Sequence, residues 1–356
     1  FNNLEIHSLS NQLEKISTDN ISPKTEEKIK KNYKTIFSKK DLSNLISKIR
    51  KCPLLSFDIE TTQLDPIEAD IVGFALSFKK NEGYYIPIIF PEKKSTISYD
   101  LDLVTVLNML KETLENPDIK KCGQNLKYDS LILIRHGISL RGIDFDSMIA
   151  EHILHPEKNS YKLDNLSIEY FGYEMQPIED LIGRGKDQIS MAQVPVEKVS
   201  FYASEDADIA FQLSQKLKPL ITKNNLNKPY YNIELPLIPV LVDMENSGVF
   251  VDDAILAELS NEVDKKIADL EKEIFSISTN EFNLNSPQQL AVVLFDELEL
   301  KQIKKRSTSI EVLETLKFHH PLPELVLKYR HLSKLSSTYI KALPGHINQR
   351  TGRVHT

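Results

Sequence analysis

The chain has 356 residues, 41% hydrophobic and 27% charged, with 11 Gly and 17 Pro, which is the composition of a soluble globular protein with room for two domains. Cys52 and Cys122 both precede apolar segments and read as small core residues of a reducing compartment, which excludes a disulfide framework. No apolar run approaches the roughly 20 residues that span a membrane, and the N-terminus lacks a signal-peptide pattern, so a cytoplasmic protein is expected.

The net charge of -7 argues only weakly against a polyanionic partner, because phosphate affinity depends on where cations cluster. Two clusters stand out, Lys28, Lys30, Lys31, Lys34, Lys39 and Lys40 near the start and Lys301, Lys304, Lys305 and Arg306 further on. Either could be a plain solvated surface.

Residues 1–40 are polar and lysine-rich and read as a tether. The Asp cap and helical spacing in residues 41–50 predict a helix that opens the first domain. Then the period changes. Strands are predicted at Leu54–Glu60, Ile71–Phe78 and Tyr84–Ile89. A helix over 101–115, a short strand near 119–124 and a helix over 126–136 follow, with a long helix over about 200–219 closing the unit. Strands first and alternation afterwards mean a mixed sheet flanked by helices, an α/β domain.

Past Asn224 the strand signals stop. A helix over Leu235–Glu245 is predicted to end at Gly248 in a left-handed cap. From Asp253 the apolar positions Ile255, Leu259, Val263, Ile267, Leu270 and Ile274 repeat at helical spacing, predicting one buried face. Further helices are signalled at Ser286-Pro287, at Ser309 and over about 324–340. The second part therefore reads as all-helical, 226–356 against 41–225 for the first.

Three acidic signals recur in order. Asp58 and Glu60 lie two apart on a predicted strand and project together, while Phe57 and Ile59 face the core. Asn125 and Asp129, and then Tyr202 and Asp206, lie one helical turn apart. A lone D-x-E is more often a hydrated strand end, and each helical pair taken singly reads as a surface acid or a buried tyrosine with a partner. Together they place several carboxylates where a fold wants a core, and the usual compensation is a divalent cation. That points to two-metal phosphodiester hydrolysis.

The segments FDIETT (57–62), GQNLKYD (123–129) and YASEDAD (202–208) resemble the three exonuclease motifs of the bacterial DNA polymerase I family, within the DEDD superfamily of 3′–5′ exonucleases. ENSGVFVD (245–252), FNLNSPQQL (282–290) and TGRVHT (351–356) are similar to the start of the family A polymerase domain, the thumb. The resemblance implies a ribonuclease-H-like exonuclease domain followed by an all-α thumb-like subdomain that ends before the palm. Polymerisation by the chain as given is not expected.

On the family's pattern, Asp58, Glu60, Asp129 and Asp206 match the metal-binding acids, holding two Mg²⁺ or Mn²⁺ ions about 4 Å apart. Tyr202 matches the tyrosine that orients the attacking water. The other branch of the superfamily has a histidine where this chain has Phe201. Thr61, Leu64, Gln124 and Asn125 match positions near the terminal nucleotide. Lys301, Lys304, Lys305 and Arg306 would touch duplex phosphates without reading sequence.

One departure is the KNSYK loop (158–162), which lacks an arginine common in relatives; Lys158, Lys162 or Arg184 are the available substitutes. The resemblance implies DNA as partner, a frayed or single-stranded 3′ end at the nuclease site and duplex at the thumb, bound by a monomer. Two rivals are an RNA-trimming exonuclease of the ribonuclease D type, against which the thumb-like segment argues, and a decayed scaffold, in which the acids are usually lost.

Overall fold

Alternation in the strand Leu55–Thr61 organises the first unit, with Leu55, Phe57 and Ile59 entering a core on one side and Asp58 and Glu60 left to the other. The computed structural model describes residues 31–88, 100–278 and 280–356. The chain divides into two units, one ending at Asp243 and the other spanning Met244–Thr356.

Six strands, β1 (Asn32–Thr35), β2 (Leu55–Thr61), β3 (Ile71–Ser77), β4 (Glu82–Pro87), β5 (Lys121–Gly123) and β6 (Ile143–Asp146), form one sheet in the order β1-β4-β3-β2-β5-β6. The β2–β3 and β3–β4 pairs are antiparallel and the other three are parallel, so the sheet is mixed as expected. On one face α1 (Lys39–Ile49), α2 (Leu103–Glu115) and α3 (Leu126–Arg135) bury Leu45, Ile49, Leu110, Leu114 and Leu133 against Phe57 and Phe74. Two shorter helices, α4 (Ser147–Leu154) and α5 (Leu163–Phe171), precede α6 (Val196–Lys223). Ala203 and Ala207 of α6 pack on Val72, Ala75 and Tyr85 of the opposite face.

Small residues let α6 come that close. A Cβ on Gly83 would lie 2.7 Å from the Ser204 Cβ and 2.8 Å from its carbonyl oxygen. Gly83→Ala must therefore push strand and helix apart, and we expect it to destabilise the unit by about 2 kcal/mol in a thermal or urea melt. An unchanged midpoint would show that the contact is not tight.

The tether reading fails in its last part. Asn32–Thr35 pair in parallel with β4 although NYKT has no apolar periodicity. Tertiary bonds hold the strand instead: the Tyr33 hydroxyl donates to Asp208 (2.9 Å) and Thr35 pairs with Ser200 (2.6 Å). Lys31 is no solvated cation either. Its ammonium lies 3.7 Å from Glu205, 3.8 Å from Asp208 and 4.0 Å from the Tyr173 ring centroid. Lys28 and Lys30 lie outside the described residues. Cys122 is buried, Cys52 is half-buried, and both are free thiols. No described helix is long and apolar enough to cross a membrane.

The helix α7 (Leu235–Ser247) carries the chain from the first unit into the second and ends at Gly248, whose φ of 59° is the left-handed cap expected there. In the second unit α8 (Asp253–Ile277), α9 (Pro287–Val292), α10 (Ile310–Leu316) and α11 (Leu322–Lys334) enclose a core of Ile274, Leu290, Leu294, Leu313, Leu316, Leu322 and Val326. Only Val263 and Ile274 of the α8 stripe are buried, while Ile255 stays 60% exposed. The second unit is also not purely helical. Val249–Phe250 (β7), Ile347–Asn348 (β8) and Arg353–Val354 (β9) make a small sheet ordered β7-β9-β8. Strands of two residues carry no readable period.

Candidate metal centre

β2 continues past its neighbour. It pairs with β5 only at Leu55 and Ser56, so the later N–H groups on that edge need other acceptors. Asp129, in the first turn of α3, supplies one: its Oδ1 accepts from the Ile59 N–H at 2.9 Å. Gly123 permits the approach, since a Cβ there would sit 2.8 Å from the Phe57 carbonyl oxygen. On the other edge the β2–β3 register shifts between Glu60 and Thr61, a bulge that ends regular pairing where the acids are displayed.

Asp58 and Glu60 meet Asp206, which α6 carries down onto the sheet. One carboxylate oxygen from each of the three lies within 4.8 Å of the others. Asp129 is outside that trio but is buried beside it, with Asp58 as the neighbouring charge. The Tyr202 phenol, one turn before Asp206, lies against the Asp206 carboxyl and feels Glu60 and Asp58.

Burial and mutual repulsion dominate the electrostatics. Burial raises the Asp58 carboxyl to about 6. Burial, then Asp58, pushes Glu60 and Asp129 well above the usual range, and burial, then Asp58 and Glu60, does the same to Asp206. Burial and the three nearby carboxylates also raise the Tyr202 phenol, so it stays protonated. The Oε1 of Glu60 is buried with no hydrogen-bond partner among the described residues. Converging hard oxygens, one of them unsatisfied, fit a divalent cation such as Mg²⁺, Mn²⁺ or Ca²⁺ and not a thiolate or imidazole metal.

The nucleotide-contact positions divide. Leu64 is 90% exposed at the tip of a turn in which Thr61 Oγ1 and the Tyr128 hydroxyl, 2.8 Å apart, bond to the Gln63 carbonyl. The Gln124 amide is engaged at both ends, donating to the Tyr161 carbonyl and accepting from Ser147, so it anchors the 155–162 loop. The helix starts at Leu126 as expected, but Asn125, just before it, is in the left-handed conformation, φ 61° and ψ 47°, so it does not share a helical face with Asp129 as their spacing suggested. Lys158 is committed to Glu151 and Glu169, at 2.5 and 2.6 Å, so of the three possible substitutes Lys162 and Arg184 are the two that are exposed.

In the second unit Lys301–Arg306 form an exposed loop. Arg306 makes a bidentate pair with Asp296 (2.6 and 2.7 Å) and Lys304 lies 3.7 Å from Glu311. Lys301 and Lys305 make no ion pair among the described residues. Sequence reasoning passed over Tyr128, Asp146 and Tyr230. Asp146 had a signal, an Asp between an apolar strand and a helix, which is an N-cap pattern.

A mixed sheet whose central strand presents two carboxylates to a helix bearing Tyr202 and Asp206 defines the class, a nuclease of ribonuclease-H-like fold. The chain belongs to the 3'-5' exonuclease family, which matches residues 33–222, and residues 253–356 match DNA polymerase family A. Similar relatives include DNA polymerase I of Pseudomonas aeruginosa, 35% identical over 91% of this chain and 36% of the relative, and that of Borreliella burgdorferi, 36% identical over 96% of this chain and 36% of the relative. DNA polymerase I of Chloroflexus aurantiacus is 38% identical over 88% of this chain and 34% of the relative. The chain thus spans about a third of the length of these relatives. Among solved structures, the POL domain of Pol1 from M. smegmatis in complex with DNA primer-template and dNTP superposes with a TM-score of 0.73 at 23% identity, covering 91% of this chain and 52% of that one; it supports the fold.

Proposed function

We propose that this chain hydrolyses DNA from the 3′ end, releasing 5′-mononucleotides with the help of two divalent cations, Mg²⁺ or Mn²⁺. The observation that carries the proposal is the buried convergence of Asp58, Glu60 and Asp206 within 4.8 Å, with Glu60 Oε1 unsatisfied. Asp58, Glu60 and Asp206 would hold the cations, with Asp129, buried next to Asp58, contributing. Bound there, such ions lower the pKa of a water and offset charge on the phosphate.

The remaining roles belong to the chain. Tyr202, kept protonated by burial and by its acidic neighbours, orients the attacking water through its hydroxyl. Leu64, exposed on a turn pinned by Thr61 and Tyr128, supplies an apolar surface for the terminal base, and Asn125 borders the same nucleotide. An end must leave its duplex to reach such a pocket, so frayed or mismatched termini are the preferred substrates. The role we propose for the whole protein is DNA-directed synthesis in replication and repair, this site editing mismatched ends, in the cytoplasm and as a monomer. Family membership and the polymerase I relatives support the synthetic and editing roles.

The test is shortening of matched single-stranded DNA and RNA oligonucleotides labelled at the 5′ end. Faster shortening of DNA is expected, whereas equal or faster shortening of RNA would replace the reading with an RNA-trimming one.

For the exposed basic loop we propose contact with duplex phosphates. Replacing Lys301, Lys304 and Lys305 by alanine should reduce the slope of log affinity against log salt by about 2 to 3. An unchanged slope removes the loop from the DNA interface.

A further inference from the structure

Asp146 is fully buried at the end of β6 with no cation among the groups that bond it, and it bonds the starts of two helices at once. Its Oδ2 accepts from the Leu126 N–H at 2.7 Å, at the first residue of α3, and the Asn125 N–H also donates to it. Its Oδ1 accepts from the Met148 and Ile149 N–H groups of α4, at 3.0 and 3.1 Å. Burial pushes this carboxyl up, and the positive ends of the two helices partly offset that.

Behind it stands Tyr230, also fully buried, in the π-helical segment Tyr230–Glu234 that leads into α7. The Tyr230 hydroxyl accepts from the Asp146 N–H at 2.8 Å and donates to the Asp146 carbonyl at 3.0 Å. Its ring packs on Phe145, 5.2 Å between centroids. The same phenol therefore satisfies both backbone groups of the residue that makes the clamp.

From there the connection to the acids is short. Leu126 and Asp129 share the first turn of α3, and Asp129 reaches over to the Ile59 N–H between Asp58 and Glu60. Asn125, in its left-handed conformation, is held at the same point.

We propose that Asp146, backed by Tyr230, is the positioning residue of this site, fixing the depth of Asp129 and the turn at Asn125 against β2. The inference rests on the proposed function. Neither residue touches substrate; each acts through the start of α3. In Asp146→Asn one oxygen must serve two helices, and whichever way the amide turns its nitrogen faces an N–H donor, so the clamp that holds α3 against α4 is broken while the volume is kept.

The test is Mn²⁺ titration of the full 356-residue chain, read by electron paramagnetic resonance, beside kcat and KM on single-stranded DNA. Asp129→Ala serves as the reference that identifies the weaker binding step. Asp146→Asn is expected to weaken that step about 10-fold while moving the tighter one less than about 2-fold, with kcat down about 10-fold and KM within about 3-fold. Tyr230→Phe should move the same quantities in the same direction by about 3-fold. The double variant should be no worse than Asp146→Asn alone.

A folded Asp146→Asn chain with both Mn²⁺ steps unmoved overturns the proposal, as does a loss shared equally by both steps, which marks a merely structural role. Should Asp146→Asn not fold, an unmoved weaker step in Tyr230→Phe overturns it. A wild-type chain that neither binds Mn²⁺ nor shortens DNA would instead sink the nuclease reading, and this inference with it.

Discussion

Asp58→Ala is expected to slow hydrolysis at least about a thousandfold, some 4 kcal/mol of lost transition-state stabilisation, and at the same time to raise the melting temperature of the protein in chelator. Both effects follow from its position. Asp58 is the acid whose charge acts on each of the other three, Glu60, Asp129 and Asp206, so it is the group through which a cation would be shared. Without a cation it is instead the main source of like-charge repulsion in the cluster. Removing it relieves that repulsion and leaves a small cavity on a half-buried face. A gain of about 1 kcal/mol in chelator, with the cation-dependent gain lost, is the expected balance. A variant that is both active and less stable than wild type in chelator would contradict this account of the site.

The second large effect is a pH-dependent response of stability to cations. Carboxyls unfold to pKa values near 4, whereas Asp58 is raised to about 6 in the folded chain and Glu60, Asp129 and Asp206 are raised as well. The folded state therefore holds protons that the unfolded state releases. Cation-free stability is complete below about pH 4 as far as these groups are concerned. It declines as pH rises through 6 and beyond. A divalent cation takes the place of those protons, so its stabilisation should be small at pH 5 and reach about 2.7 kcal/mol at pH 8 when present at a hundredfold excess over Kd. Calorimetry at a series of pH values, with and without Mg²⁺, checks this. A cation effect independent of pH would mean that the ions bind elsewhere.

The centre of this molecule was legible because its signals are local. Phe57-Asp58-Ile59-Glu60 alternates within one strand, and Tyr202 and Asp206 are one turn apart on a long amphipathic helix, so each pair displays its own geometry in the sequence. The resemblance to polymerase exonucleases then joined the segments. What stayed hidden depends on partners distant in the chain. Strand β1 forms from polar residues because Asp208 and Ser200 receive its side chains, more than 160 positions away. Asp129 satisfies the Ile59 N–H only because β5 stops early, and nothing in GQNLKYD announces that length. The Asp146–Tyr230 pair joins residues 84 apart. The left-handed turn at Asn125 stayed hidden because a four-residue spacing to Asp129 cannot distinguish an N-terminal boundary residue from one in the first turn.

The most direct measurement is chromatographic analysis of the products released from a primer–template with a mismatched 3′ terminus in Mg²⁺, wild type beside Asp58→Ala/Glu60→Ala. The account predicts 5′-mononucleotides appearing one at a time from the 3′ end, the mismatched one first, and none from the double variant. Release that persists in the double variant, or wild-type chain that binds the DNA and leaves its 3′ end intact, would contradict it.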